Sequence, residues 1–172
     1  DLHADPRLKL LWVGDGWWRE RLLTRARGLG LAVDERDRSG TSQKGGAQII
    51  VTGLVSPERI PSMIRAMDIL AHPSYREGLP RTVPQALLCG VCPVAYDVDG
   101  TGEVCRDGST GKLVKVGDIP GLRGAIRWLA DHPAECEAMA LAGRAWCRDR
   151  FSAERMVADL ETVYRLARGE AT

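Results

Sequence analysis

Short runs of valine, isoleucine and leucine alternate along the chain with segments in which apolar residues recur at helical spacing. The apolar runs predict buried strands at residues 8–13, 47–52, 69–72, 91–96 and 112–116. The helical spacing predicts helices at about residues 17–28, 57–68, 82–89, 101–106, 118–131, 133–149 and 152–168. This alternation is typical of an α/β fold with a doubly wound parallel sheet, in which helices cover both faces to give three layers, α/β/α.

Two local patterns qualify this prediction. Residues 34–46, DERDRSGTSQKGG, have no apolar period and predict a polar loop. Thr82 and Gln85 have the spacing of a capping box, and Pro84 is tolerated beside them because amides in the first turn have no helical acceptor. A helix is therefore expected to begin with Thr82 as its cap.

Length and charge limit the class of protein. A chain of 172 residues that is 44% hydrophobic is sufficient for one domain. The 24 basic and 23 acidic residues leave a net charge of +1, so no global field attracts nucleic acid or an anionic membrane, and an anionic partner requires a local site. No apolar stretch approaches the ~18 residues of a membrane span. Five scattered cysteines favour reduced thiols and a cytoplasmic location.

The candidate functional residues lie in the loop after the third predicted strand. Ligands of open parallel sheets bind beyond the carboxyl ends of the strands, and the loop there is HPSYREGLPRT, residues 72–82. It ends at a helix N-terminus, where free amides and Arg81 are suited to a diphosphate. The Glu77 carboxylate accepts hydrogen bonds and is suited to sugar hydroxyls.

At these residues the sequence resembles the C-terminal, donor-binding domain of the retaining group 1 (family 4) glycosyltransferases, a Rossmann-like half of the GT-B fold. Pro73-Ser74 precedes Glu77, and after seven residues Gln85 stands where the family has a second glutamate. The similarity extends from residue 51 to residue 118, and Val13-Gly14-Asp15-Gly16 fits the family's preceding glycine turn.

The resemblance implies a role for each site residue. Glu77 would contact hydroxyls of the transferred sugar, and the amides of the following loop would face sugar and diphosphate; these belong to Gly78, Leu79, Arg81 and Thr82. Gln85 would hold the ribose, and as a neutral acceptor it should bind about five- to tenfold more weakly than a glutamate. Gly14 and Gly16 would complete the donor site. The substrate would be a UDP-, GDP- or ADP-sugar, with no metal or other cofactor.

The resemblance also implies a partner. The family has an N-terminal acceptor domain and an earlier strand with an arginine and a Lys-Gly pair, and nothing before Leu8 supplies that strand. The sequence starts without Met, so residues 1–172 are expected to be one domain excised from a longer chain, inactive alone. The last helix, about residues 152–168, would contact the absent domain, through which any peripheral membrane contact would also occur.

Other interpretations stay open on the sequence alone. The domain could bind a nucleotide-sugar or assemble with a partner without turnover, or it could bind S-adenosylmethionine or a dinucleotide at Gly14-Asp15-Gly16, for which Asp34 and Glu35 offer an acid only in a loop. Asp97-Val98-Asp99 is predicted to be a structural turn and Cys89 and Cys92 small buried thiols. Trp17 and Trp18 either pack against the absent domain or contribute one side chain to the local core.

Overall fold

The described chain divides into two compact units, each with its own parallel sheet. The computed structural model describes residues 5–36 and 46–169. Unit 1 is Asp1–Met63 and unit 2 is Ile64–Thr172, and each contains a three-stranded sheet in which all pairing is parallel. The predicted α/β class with parallel strands is confirmed. That residues 1–172 form one domain stays a prediction.

Unit 1 is built around a small sheet with the strand order β1-β3-β2. Its elements are β1 (Leu10–Val13), α1 (Arg19–Gly28), β2 (Val33–Glu35), β3 (Ile49–Gly53) and a 3-10 helix, Pro57–Arg59. The core joins the inner face of α1 to β3 through Leu23, Ala26, Ile49 and Val51. The next helix, α2 (Ile60–Arg65), contains the boundary between the units.

Strand β2 corrects the sequence prediction, which placed residues 34 and 35 in a polar loop. The backbone at 33–35 pairs with β3, and the N–H of Arg36 donates to the carbonyl of Val51 at 2.8 Å. Ladder hydrogen bonds use the backbone, so an edge strand forms without an apolar period. The rest of that predicted loop, residues 37–45, lies outside the described residues.

Unit 2 contains the strand order β4-β5-β6, formed by β4 (Ile69–His72), β5 (Cys92–Asp97) and β6 (Lys112–Lys115). Its helices are α3 (Thr82–Leu88), α4 (Thr101–Val104), α5 (Ile119–Asp131), α6 (Pro133–Arg150) and α7 (Ala153–Ala167). These bounds match the predicted elements of this half to within a few residues.

Side chains that alternate along the strands place helices on both faces of this sheet. Cys92 and Val94 of β5 pack with Leu129 of α5 and Met139 and Ala140 of α6. Leu70 of β4 and Leu113 of β6 point to the opposite core, which contains side chains of α3, α4 and the end of α6: Val83, Leu87, Val104 and Cys147. Because side chains alternate with a period of two, unit 2 has the predicted three layers.

Two further findings concern the chain as the structure describes it. None of its described helices is both long and apolar enough to cross a bilayer. All five cysteines lie outside disulfide bonds, and all but Cys89 are buried. The predicted cytoplasmic location stays a prediction.

Candidate functional site

Glu77 lies in the loop that joins β4 to α3, beyond the carboxyl end of β4. Its backbone N–H donates to Oδ2 of Asp99 at 2.9 Å. Its carboxylate Oε1 lies 3.2 Å from Nε2 of His72, and the Glu77 side chain is 28% exposed. The carboxylate is therefore held near the sheet edge without being buried, so a ligand can reach it.

His72, the last residue of β4, connects Glu77 to the start of α3. Its Nδ1 lies 3.2 Å from Oγ1 of Thr82, so the two ring nitrogens face two predicted site residues. Nε2 is buried. It lies within ion-pair distance of the Glu77 carboxylate, but the geometry does not satisfy a hydrogen bond. The sequence prediction assigned no site role to His72. Its place directly before Pro73, at the end of the strand that leads into the loop, is the signal that could have identified it.

A turn after β5 braces the same loop from the other side. Asp99 has a left-handed backbone with φ of 45°, and its carboxylate accepts the Glu77 N–H. The Gly100 N–H donates to the carbonyl of Gly78 at 2.9 Å, and a Cβ on residue 100 would lie 2.4 Å from that oxygen. The turn approaches the loop so closely that only glycine fits there. The predicted turn forms at Asp99 and Gly100, whereas Asp97 is the last residue of β5.

The beginning of α3 differs from the prediction. Arg81, rather than Thr82, occupies the N-cap position, with φ of −66° and ψ of −31°, and no side chain caps the helix. The predicted capping box is wrong, because the hydroxyl of Thr82 contacts His72 instead of a first-turn amide. The helix is anchored by its buried residues Val83, Ala86 and Leu87.

Four amides predicted to face the donor lie near this point. The backbone N–H groups of Gly78, Leu79, Arg81 and Thr82 donate to no acceptor within the described ranges. Pro80, which has no N–H, is fully buried and fixes the middle of the loop. The exposed surface of the loop therefore presents unpaired donors beside the Glu77 carboxylate.

The structure places four of the predicted site residues in one region of unit 2. Glu77, Arg81, Thr82 and Gln85 all belong to the β4–α3 region, and the last three are exposed. A cleft of about 400 Å³ between β6 and α5, lined by Lys112, Asp118 and Trp128 among others, contains none of them.

Gly14 and Gly16 belong to unit 1. Gly14 has φ of 113°, which favours glycine, and its N–H donates to the carbonyl of Gly53 at 2.9 Å. The Gly16 N–H donates to Oδ1 of Asp15 at 2.8 Å. Both glycines thus form a tight turn after β1, and their predicted donor contacts stay predictions.

Unit 1 argues against a dinucleotide or S-adenosylmethionine site. Glu35 ends a strand, which corrects the predicted loop position, yet β3 lies between β1 and β2 and separates Glu35 from the glycine turn. Glu35 is also occupied, because Arg19 binds its carboxylate at 2.6 Å and Arg27 contacts it too. A carboxylate that binds a ribose beside the glycine turn must lie at the end of the strand adjacent to β1 and must have no other partner.

The remaining predictions concern thiols and tryptophans. Cys92 is buried, as predicted, and a hydrogen bond with Cys136, together with burial, raises the pKa of its thiol. Cys89 is only partly buried. Trp17 and Trp18 are both exposed, so neither contributes to the local core of unit 1.

Comparison with known proteins gives the following similarities. A family model described as glycosyl transferases group 1 matches residues 1–146. The chain is 30% identical over 163 residues to a 2-deoxystreptamine N-acetyl-D-glucosaminyltransferase of Streptomyces fradiae, covering 93% of this chain and 34% of the relative. It is 32% identical over 121 residues to a D-inositol 3-phosphate glycosyltransferase of Rhodococcus erythropolis, covering 70% of this chain and 27% of the relative. The chain thus spans about a third of the length of such relatives.

Among solved structures, the fold is similar to that of Anabaena Alr3699/HepE in complex with UDP-glucose. The TM-score is 0.76 at 21% identity, over 96% of this chain and 42% of that one.

Proposed function

Because this chain belongs to the group 1 glycosyltransferases, we propose that it forms the donor side of an enzyme that transfers a hexose from a nucleotide-diphosphate sugar with retention of configuration. The observation that carries this proposal is the Glu77 carboxylate, partly exposed beyond β4 and beside unpaired loop amides. Uridine nucleotides are the first donors to test, because a protein of similar fold is described in complex with UDP-glucose.

Each group has a defined task in this proposal. Glu77 accepts hydrogen bonds from hydroxyls of the sugar and orients it for attack. The four unpaired loop amides and the Arg81 guanidinium face the diphosphate, where they stabilise the negative charge that grows on the leaving group. Gln85, which is exposed on α3, contacts the ribose. No metal is required, since amides and a guanidinium supply the positive charge.

The proposal also concerns the rest of the protein. The acceptor would bind to an N-terminal domain outside this chain, and residues 1–172 alone would be inactive. Helix α7 supports the presence of a contacting domain, because it has no buried residue. Several of its apolar side chains are exposed: Met156, Val157, Leu160, Val163 and Tyr164. We place the contact with the N-terminal domain on this helix.

Replacing Glu77 tests the function directly. In the intact protein we expect Glu77→Ala to lower kcat/KM for the sugar donor by roughly 10- to 150-fold, because a hydrogen bond to a charged group contributes about 1.5–3 kcal/mol. Turnover of UDP-, GDP- and ADP-sugars is measured beside calorimetric binding, and the anomeric configuration of the product is determined by NMR.

Glu137→Ala, which changes an exposed glutamate on α6, is the matched control and should retain full activity. Donor binding without any turnover would instead indicate a binding module. No affinity for any nucleotide-sugar would contradict the proposal altogether.

A further inference from the structure

Unit 1 exposes two adjacent tryptophans at the start of α1. Trp17 is 103% exposed and Trp18 is 61% exposed. Tryptophan has a large apolar surface, so full hydration of an indole is unfavourable and a pair of exposed indoles indicates a contact surface.

The outer face of α1 extends this aromatic pair. Trp18, Leu22 and Leu29 are spaced by four and seven residues, which places them on one helical face, and all three are exposed. The adjoining face, about a quarter turn away, packs inward through Leu23 and Ala26. Helix α1 is thus apolar on two adjoining faces, and only one of them packs within unit 1.

The same outer face carries positive charge. Arg21 and Arg25 fall beside the exposed stripe, and neither forms an ion pair with a carboxylate in the described part of the chain. The Arg21 guanidinium lies 5.0 Å from the centre of the Trp18 ring.

The other charges of α1 are compensated and lie elsewhere on the helix. Arg19 and Arg27 bind the carboxylate of Glu35. The single acid of α1, Glu20, lies on the opposite side from Trp18 and contacts Arg19 at 3.8 Å. The outer face therefore combines indoles, leucines and two uncompensated arginines without an acidic residue.

From this combination we infer that Trp17, Trp18 and the outer face of α1 dock on the surface of an anionic lipid bilayer. Indoles occupy the headgroup region with the ring in the apolar layer and the N–H hydrated, and leucines beside them bury apolar area. Guanidinium groups bind lipid phosphates, and the positive face is attracted to a negatively charged leaflet. The contact is peripheral, since the described helices include none that spans a bilayer.

Vesicle sedimentation of the intact protein tests this inference. Vesicles contain phosphatidylglycerol and phosphatidylcholine in equal amounts, or phosphatidylcholine alone. We expect binding to the anionic vesicles, with weaker binding in high salt. The Trp17→Ser/Trp18→Ser variant should bind at least about tenfold more weakly, because both indoles lose their apolar contact. The Arg21→Gln/Arg25→Gln variant should bind about 30-fold more weakly, from about 1 kcal/mol for each basic residue near the surface.

Leu141→Ser is the matched control, since Leu141 is an exposed leucine on α6, and its binding should equal that of the wild type. Thermal unfolding verifies that each variant is folded. Failure of the intact protein to bind anionic vesicles would overturn the inference, as would unchanged binding of both double variants. Equal binding to neutral vesicles would also overturn it. So would a dimer that Trp17→Ser/Trp18→Ser dissociates in the absence of lipid binding, because the face would then belong to a second copy.

Discussion

At the scale of single residues, the environment of Glu77 is set by side chains that are distant in sequence. His72 faces its carboxylate, and Asp99 holds its backbone N–H. Both contacts restrict the loop, so Glu77 is positioned before a ligand arrives. Preorganisation of this kind lowers the cost of ordering a charged group at the moment of binding.

His72 is expected to act as a positioning residue for Glu77. His72→Gln retains a nitrogen near the place of Nε2, whereas His72→Asn retains one near Nδ1, which contacts Thr82. We expect His72→Asn to lower kcat/KM for the donor by about 2- to 5-fold, because the polar contact between Nε2 and Glu77 is lost, and His72→Gln to lower it less. Steady-state kinetics of both variants, with thermal unfolding as a check of the fold, decide this. Equal activity of the two variants would show that the contact with Glu77 has no positioning role.

Gln85 offers a gain-of-affinity prediction. Its side chain is exposed on α3, and Gln85→Glu would replace a neutral acceptor by an ionised one at the proposed ribose contact. We expect the dissociation constant for UDP-glucose to fall about five- to tenfold in calorimetric titration. Gln48→Glu in unit 1, where the side chain accepts from the Ala32 N–H, is a control that should not change donor affinity. Unchanged affinity of Gln85→Glu would remove Gln85 from the donor site.

At the scale of elements, the packing of α6 against α3 depends on a close approach. A Cβ on Gly143 of α6 would lie 2.4 Å from Cδ2 of Leu87, which is fully buried on α3. Close-packed interiors cannot absorb such an overlap without moving a side chain or the backbone. This contact holds α3, and with it the end of the Glu77 loop, against the rest of unit 2.

Two helical glycines provide a matched pair for this point. Gly143→Ala should lower the free energy of unfolding by about 1–3 kcal/mol, because it overpacks the interface with Leu87. Gly124→Ala on α5, where a Cβ would meet nothing within 4 Å, should instead raise it by about 0.5–1 kcal/mol through helix propensity. Urea denaturation measures both. A Gly143→Ala protein as stable as the wild type would show that Leu87 moves aside at no cost.

At the scale of the whole molecule, buried thiols make stability depend on pH. Burial, with Asp107 and Asp97 nearby, raises the pKa of the Cys105 thiol from its ordinary value of 9.0 to about 12. Burial likewise raises the pKa of Cys147 to about 11. Above pH 9 the unfolded chain loses these protons while the folded protein retains them, so rising pH favours the unfolded state.

The free energy of unfolding should therefore fall between pH 9 and pH 12, by up to about 1.4 kcal/mol per pH unit for one such thiol. Cys105→Ala removes one titrating group, and its stability should fall less steeply than that of the wild type. Urea denaturation across this pH range compares the slopes directly. Parallel slopes would mean that Cys105 ionises equally in both states.

The sequence by itself determined the class of fold and the family. Apolar runs and helical spacing are local properties, and buried strands and helices reproduce them because each side chain must face core or solvent in its own element. The strands of unit 2 and helices α5 to α7 follow that pattern closely. Edge strand β2 does not, because backbone hydrogen bonds to β3 create it without an apolar signal.

Only the tertiary structure decided what surrounds the predicted site. Two loops at the same edge of a sheet bring together four residues: His72, Glu77, Thr82 and Asp99. No spacing in the sequence predicts that these residues lie in contact. The hydroxyl of Thr82 could have capped its own helix, but it contacts the imidazole of His72 instead. Side-chain partners depend on distances across the fold, whereas the pattern along a chain reports only which way each residue faces.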